Sequence, residues 1–470
     1  MANFKRYLLI PDPIYDSIHI PERLEKLIEN PLFQRLRFLK QLAFSYLIYP
    51  STTHTRFEHS LGVFHLTHLT LNKLRIELKS RIVVPKKYLD DISSIDLIDS
   101  AKLKLYDKIV KEENIQYIYE TLIAALYHDI GHSAFGHVIN ILNKRNPNYP
   151  KLSNDKLYVK EILGEKTLLN KLINDFSEKI QKDHGCDKIK VENIIEMITR
   201  GRHKEPDLNF LGELIHSSID LDRIDYLNRD CFYSGIINAK IPYNYLISNI
   251  RIVPHIRTRK DKQREVHFYL CFDKKARYSL EFILISRYFM YNQIYHHYKE
   301  KIVENMITKA IEISIKEGDL EYNQLFKLND ETALHALKRN KKAKNIVEKI
   351  YERKIYYPVL KTNFLELDDI VKLKLIEEDP DDFSFIRVWE EKLAEKIGLD
   401  SMDVIIDIPT SSYYETAVLL WDEDKQELLN FEDHTQFSNI SLNPMEYVLC
   451  AISRKDKIKE AKKELFNTLD

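Results

Sequence analysis

Three short stretches put histidine or carboxylate side chains inside apolar helical runs. His128-Asp129 closes the run Thr121–Tyr127, which is apolar enough to be buried. An imidazole and a carboxylate there cost several kcal/mol unless something satisfies them. A divalent metal ion does so, because it takes neutral imidazole nitrogen and carboxylate oxygen together. One such pair cannot fill a coordination sphere, so further ligands must come from elsewhere. Upstream, Thr53–Val63 places His59 at the start of the run Leu61, Val63, Phe64, Leu66. Downstream, Ser218–Asp230 holds Asp222 and Asp225 one helical turn apart, with Tyr226 beside them. His59, His128, Asp129 and Asp222 make a four-ligand set with positions left for water and substrate. A lone His-Asp pair is more often an ordinary hydrogen-bonded pair, since short motifs match by chance.

Groups so far apart in the chain must be brought together by helices. Only 10 glycines, against frequent Leu, Ile, Lys and Glu, predict a mainly α protein. Residues 5–20 alternate and break at prolines, which predicts short strands or a hairpin. From Pro21 to Leu42 the spacing is helical, with Pro21 and Pro31 marking helix starts. A helix begun near His59 is expected to run past Leu78. Residues 80–115 read as a charged, amphipathic insertion before the helix that ends at His128. His132 follows His128 by four, which puts both on one helix face. Asn146–Asp155 reads as a loop. Residues 248–273 predict a β-hairpin with a basic tip, Arg257–Arg264. Helix resumes at Ala276 and persists to about Ile315. A helical segment to about Lys354 then precedes an α+β tail, with strand-like Val404–Ile408 and Ala417–Trp421. The expected units are a core over residues 1–315 and a C-terminal α+β region over 316–470.

Composition excludes several classes. A chain of 470 residues can bury a large core and divides into two or three units. Lys plus Arg (71) balances Asp plus Glu (72), so no global field draws it to nucleic acid or anionic lipid. No apolar run is long enough for a membrane span, and the N-terminal residues lack a signal-peptide stretch. Cys186, Cys231, Cys271 and Cys450 are scattered without a Cys-x-x-Cys pair. They fit a reducing compartment, and a cytoplasmic location is expected.

The order H…HD…D resembles the HD superfamily of metal-dependent phosphohydrolases, and more closely its deoxynucleoside triphosphate (dNTP) triphosphohydrolases. Asp12-Pro13-Ile14, Pro31–Leu42 and His54–Gly62 resemble the family's N-terminal signature. His128–His137 resembles its central motif, and Leu221–Asp230 and Arg287–His296 its later ones. The resemblance implies a helical HD-domain core with small β-hairpins and one divalent ion (Mg, Mn, Fe or Zn) on His59, His128, Asp129 and Asp222. It implies attack at the α-phosphorus of a dNTP, releasing deoxynucleoside and triphosphate. Arg56, Arg223 and Arg287 match phosphate-contacting positions, and a guanidinium fork suits two phosphate oxygens. His132 matches a triphosphate contact and His137 the acid that protonates the leaving 5′ oxygen. Together with Asp222 they form the implied catalytic set. Gln41 and Leu42 match residues that read the sugar face. Tyr226, Tyr295 and Asp230 match those that pack on and hydrogen-bond the deoxyribose, and Asp220 matches another pocket acid. His65, His68 and His216 match no role. Self-association as a dimer or tetramer follows by family analogy.

The chain departs from the pattern at two places. Asn140 stands where the family carries an acid that supports the catalytic histidine, which implies a weaker acid at His137. Asn154 is the best-placed residue where a further histidine is expected. Glu29, Gln34 and Arg37 resemble part of an allosteric guanine-nucleotide site, but Leu8 stands where a basic ligand belongs. Two other readings stay open. One is an HD phosphohydrolase acting on another nucleotide, a phosphomonoester or single-stranded nucleic acid, for which the basic tip 257–264 and Arg339–Lys344 speak. The other is a non-catalytic nucleotide-sensing scaffold.

Overall fold

The computed structural model describes residues 6–469 other than 81, 147–148, 150–153, 237–239, 260, 364–383, 409–417 and 436–446. Helices of at least eight residues are numbered. Strands β1 (Tyr7–Asp12) and β2 (Asp16–Pro21) form the expected antiparallel hairpin. The helical spacing after Pro21 is cut into short turns, Glu25–Ile28, Pro31–Gln34 and Arg35–Phe38, rather than one helix. Asn30 causes the break, accepting the Phe33 amide at 3.0 Å to start a new turn at Pro31.

The core is built on α1 (Arg56–Lys79) packed along α3 (Gln116–Tyr127). Glu58 starts α1 by accepting the Thr55 amide at 3.2 Å, as in a capping box. All of α3 is buried, as its apolar sequence requires. Between them α2 (Ile92–Val110) occupies the predicted insertion. The helix stops at Tyr127, so His132 does not share a helix face with His128, contrary to the spacing argument. Arg35 is the physical reason. Its guanidinium donates to the carbonyls of Ile130 (3.2 Å) and His132 (2.7 Å), and the chain then turns through left-handed Phe135 (φ 64°) and Gly136 (φ 57°).

Next come α4 (Val138–Arg145), α5 (Asn154–Ile162), α6 (Leu168–His184), α7 (Val191–Arg200) and α8 (Leu221–Ser234). Helix α5 begins inside the stretch read as a loop, and the Asn154 side chain lies outside the described residues. The second predicted hairpin is β3 (Ile250–Thr258) with β4 (Arg264–Asp273). The helix expected from Ala276 to Ile315 is two helices, α9 (Arg277–Met290) and α10 (Tyr298–Lys316). A π-turn over Tyr291–Tyr295 separates them, and the His297 side chain caps α10.

Beyond lie α11 (Asp330–Leu337), α12 (Lys341–Tyr351), β5 (Tyr357–Asn363), α13 (Phe385–Ile397), β6 (Val404–Asp407), β7 (Leu419–Asp422), β8 (Glu427–Asn430), β9 (Tyr447–Ile452) and α14 (Ile458–Leu469). One sheet runs β3-β4-β7-β8, with β7 parallel to β4, and the other runs β5-β9-β6. The first sheet joins strands from both sides of residue 315. The main apolar core likewise includes Leu420 and Phe431, while a smaller one gathers Val359, Leu393, Val404, Ile452 and Leu465. The fold is mainly α with small sheets and an α+β C-terminal region. Among the described residues no helix is long and apolar enough to cross a membrane. All four cysteines are buried and unbridged.

Candidate active site

Three helix ends meet at one point. The first turn of α1 presents Arg56 and His59, the end of α3 presents His128 and Asp129, and the first turn of α8 presents Asp222. Asp220 sets the start of α8 by accepting the Arg223 amide at 2.8 Å. The Nε2 atoms of His59 and His128 are 3.1 Å apart. Asp222 Oδ1 stands 2.9 Å from the first and 3.6 Å from the second, and Asp129 lies 3.9 and 3.5 Å from them. His59, His128 and Asp129 together can hold a metal ion.

The outer nitrogens show that the residues fit one. His59 Nδ1 faces Asp225 Oδ2 at 2.7 Å and His128 Nδ1 faces the Ala125 carbonyl at 2.8 Å. Both partners accept, so each Nδ1 carries a proton and each Nε2 is the nitrogen left to offer a lone pair to a metal ion. Two lone pairs at such a distance repel unless a cation lies between them. Burial works against charge on His59, yet Asp222 and Asp225 overcome it and hold the imidazole at about 10. Burial likewise raises Asp222, but His128 and His59 more than reverse this and hold it well below the usual carboxylate range. The pocket therefore favours positive charge, which a divalent ion supplies without a proton.

A buried network fixes His59. Asp225 is fully buried and also accepts from Tyr15 Oη (2.8 Å) and from Arg229 Nε and Nη2 (3.1 and 3.0 Å). Arg229 continues to Asp12 at 2.9 Å. Gly62 makes room for this, since a Cβ there would stand 1.8 Å from Asp225 Oδ1. The sequence pointed to Asp225 only as the neighbour of Asp222. Its signal is the Asp225–Arg229 pair one turn apart on α8.

Three of the four ligand candidates, His59, Asp129 and Asp222, line a cleft of about 390 Å³ whose lining also includes Gln41, Leu42, Arg56, His132, His137, Tyr226, Asp230 and Tyr295. Arg56 Nη1 donates to Asp129 Oδ2 at 2.7 Å, and His132 Nε2 lies 3.1 Å from Asp129 Oδ1. His137 keeps an open edge to solvent. The protein atoms crowding it, and then the positive charges of Arg56, His132 and Lys301, push its imidazole down to about 3. Asn140 Nδ2 approaches His137 Nδ1 at 3.4 Å, so an uncharged amide stands where a carboxylate would favour the imidazolium. Asp230, also in the lining, is held by His54 Nε2 (2.7 Å) and Tyr295 Oη (2.5 Å). The rings of Tyr226 and Tyr295 meet edge to face, and Gln41 Oε1 is buried with no hydrogen-bond partner among the described residues.

Asp220, Arg223 and Arg287 do not line the cleft in the same way. Asp220 is a buried helix cap, and Arg223 donates to its Oδ2 at 2.7 Å and to the Ser217 carbonyl. Burial, resisted by Arg223, lifts the Asp220 carboxyl to about 6. The Arg287 guanidinium lies 5.1 Å from the centre of the Tyr291 ring, and both arginines bear electrostatically on Tyr226. Sequence reasoning missed Tyr291, His296, Glu300, Lys301 and Glu304, which also line the cleft. It also missed Asp330, which accepts the Lys40 amide at 2.9 Å and the Phe135 amide at 2.8 Å and so joins two cleft loops. No local pattern marks Asp330, because its partners lie far away in the chain.

A helical core that brings a histidine-carboxylate cluster to the meeting of three helix ends forms a candidate metal site. A family model described as "HD associated region" matches residues 252–438. An uncharacterized protein of Methanocaldococcus jannaschii is 25% identical over 455 residues, 96% of this chain and 80% of that protein. A deoxynucleoside triphosphate triphosphohydrolase SAMHD1 homolog of Dictyostelium discoideum is 26% identical over 69% of this chain and 51% of its own length. The Gallus gallus deoxynucleoside triphosphate triphosphohydrolase SAMHD1 is 26% identical over 86% of this chain and 63% of its own length. The crystal structure of a hypothetical protein from Aquifex aeolicus shares the fold, with a TM-score of 0.65 at 23% identity, covering 98% of this chain and all of that one. These relatives support an HD-domain, dNTPase-like family for the chain, as its motifs indicated.

Proposed function

We propose that the chain is a divalent-metal-dependent dNTP triphosphohydrolase, cleaving a deoxynucleoside triphosphate to deoxynucleoside and triphosphate. One observation carries the reading. The Nε2 atoms of His59 and His128 face each other between Asp129 and Asp222, and His59, Asp129 and Asp222 line a cleft that also holds Arg56, His132, Tyr226, Tyr295 and Asp230. A divalent ion there supplies Lewis acidity at the α-phosphoryl oxygen and lowers the pKa of a water. Arg56 and His132, both on Asp129, face the polyphosphate and offset its charge. Arg223 and Arg287 add positive potential from beside Tyr226. His137 is the group placed to protonate the leaving 5′ oxygen, and the substrate's negative charge favours its imidazolium against the field of Arg56, His132 and Lys301. Tyr226 and Tyr295 close on the sugar, with Asp230 and Gln41 offering hydrogen bonds to it. Asp220 holds the α8 turn that aims Asp222.

We further infer self-association as a dimer or tetramer and a cytoplasmic setting, the latter supported by four unbridged cysteines. The nucleic-acid reading is weakened at the hairpin tip, where Arg259 pairs with Glu265 and Arg264 with Asp91. The test is turnover of the four dNTPs with added Mn or Mg, reading triphosphate release. Release of triphosphate supports the proposal. Release of monophosphate or pyrophosphate, or turnover only of other phosphoesters, moves the chain to another HD chemistry. Nucleotide binding with no turnover of any substrate leaves the sensing scaffold.

A further inference from the structure

Behind the cleft, the C-terminal region reaches the helical core through a buried cluster of charge. Glu390 of α13 is 2% exposed and engages partners with both oxygens. Its Oε1 accepts from Arg145 Nη1 at 3.3 Å and from the Ile406 amide at 2.9 Å, and its Oε2 accepts from Lys309 Nζ at 2.6 Å. Arg145 also donates to the Ile406 carbonyl at 2.6 Å, and Lys309 to the Ser401 carbonyl at 3.0 Å. Both cations are buried as well. Apolar side chains of similar size would hold such a junction at least as firmly, so the ions call for a role beyond stability, and fixing a register is the best-attested one.

The placement of the two cations shows which register. Arg145 ends α4, whose N-cap is His137. Lys309 lies on α10, whose early turns carry the cleft residues Glu300, Lys301 and Glu304. Each cation stands eight residues beyond the cleft residue on its own helix, His137 in one case and Lys301 in the other. That is about 12 Å along each axis. The two helices pack on each other. One carboxylate thus grips both helices beyond the residues they present to the cleft.

We propose that Glu390 is a positioning residue for the active site: by holding Arg145 and Lys309 on its two oxygens it sets where His137 and Lys301 stand across the cleft. The inference rests on reading the cleft as a phosphohydrolase site. It gives the C-terminal region a task in catalysis, and the matched span 252–438 holds both Lys309 and Glu390.

The experiment uses full-length Glu390→Gln, which keeps the side-chain shape, and Glu390→Ala. Without nucleotide, amide hydrogen exchange should rise in α4 and the first turns of α10 and stay unchanged in α1 and α3. With a dNTP and Mn, kcat should fall about 10- to 100-fold, the cost of a small misplacement of a reacting group. KM and bound metal should stay near wild type, and Glu390→Asp should recover part of the rate. In a His137→Ala background Glu390→Gln should cost clearly less than in the wild type, because one of the two groups it positions is gone. A uniform rise in exchange, a loss of bound metal, an unchanged kcat, or a loss that adds in full to that of His137→Ala would overturn the proposal. If Glu390→Ala does not fold, Glu390→Gln and Lys309→Met carry the same readouts. Should the wild type hydrolyse no dNTP, the proposed function fails, while the exchange pattern still shows whether Glu390 couples the two helices.

Discussion

Two buried polar networks stand behind the cleft, and they work differently. The one behind His59 touches a ligand candidate directly, since Asp225 holds His59 Nδ1 and is itself held by Tyr15 and Arg229. The one around Glu390 touches no cleft residue through Glu390, and its reach passes along α4 and α10. The first is assembled from β1, the turn after it, α1 and α8. The second needs α13 and β6 from the far end of the chain. A ligand nitrogen must be aimed to a fraction of an ångström, which a direct hydrogen bond accomplishes. The spacing of two helix ends requires only that rigid elements be pinned in register.

Substitutions can break this contrast. Removing a ligand has the largest expected effect. His128→Ala should abolish metal binding, measured by metal analysis of the purified protein, and lower turnover by at least on the order of 10²–10³. A metal-loaded and active variant would break the ligand assignment. Asp225→Asn comes next, with metal affinity or activity down about 10- to 100-fold. Titration with Mn should show weaker binding here, whereas Glu390→Gln should bind the ion normally. Equal metal loss in both would erase the distinction drawn above.

Gly62→Ala is a milder probe of the first network. The added Cβ would meet Asp225 Oδ1 at 1.8 Å, and overpacking of this kind costs about 1–3 kcal/mol. Thermal unfolding should report a lower Tm together with weaker metal binding. An unshifted Tm would show that Asp225 has room to move. The smallest expected effect is a gain. Asn140→Asp places a carboxylate beside His137, in a spot where the amide lies 3.4 Å from Nδ1. An opposite charge so near favours the imidazolium and raises its pKa by about 1 unit or more. A leaving-group acid works protonated, so the alkaline limb of the kcat profile should move to higher pH. A limb that stays in place would remove His137 from that role.

The positions of His59, His128, Asp129 and Asp222 were legible because each sits in a short motif whose helical context is local. The two hairpins were equally legible, through alternation and turn residues. The break after Tyr127 was not, because it depends on Arg35 reaching carbonyls nearly a hundred residues away. The division of α9 from α10 was hidden by continuous helical spacing across a π-turn. Asp222 and Asp225 share a helix and one turn of spacing. Which of them faces the other ligand candidates and which the back of His59 is set by how α8 sits against Gly62 of α1.

Residue types and their local periodicity therefore determined the helical character and the motifs that carry the ligand candidates. Those follow from interactions within one helical turn or one motif. Packing alone decided that Asp225 orients while Asp222 faces inward, that Asp330 staples two cleft loops, and that Glu390 grips α4 and α10. Each of these depends on side chains that meet only after distant segments have closed on one another. A buried carboxylate has no local signature of the partners that will satisfy it.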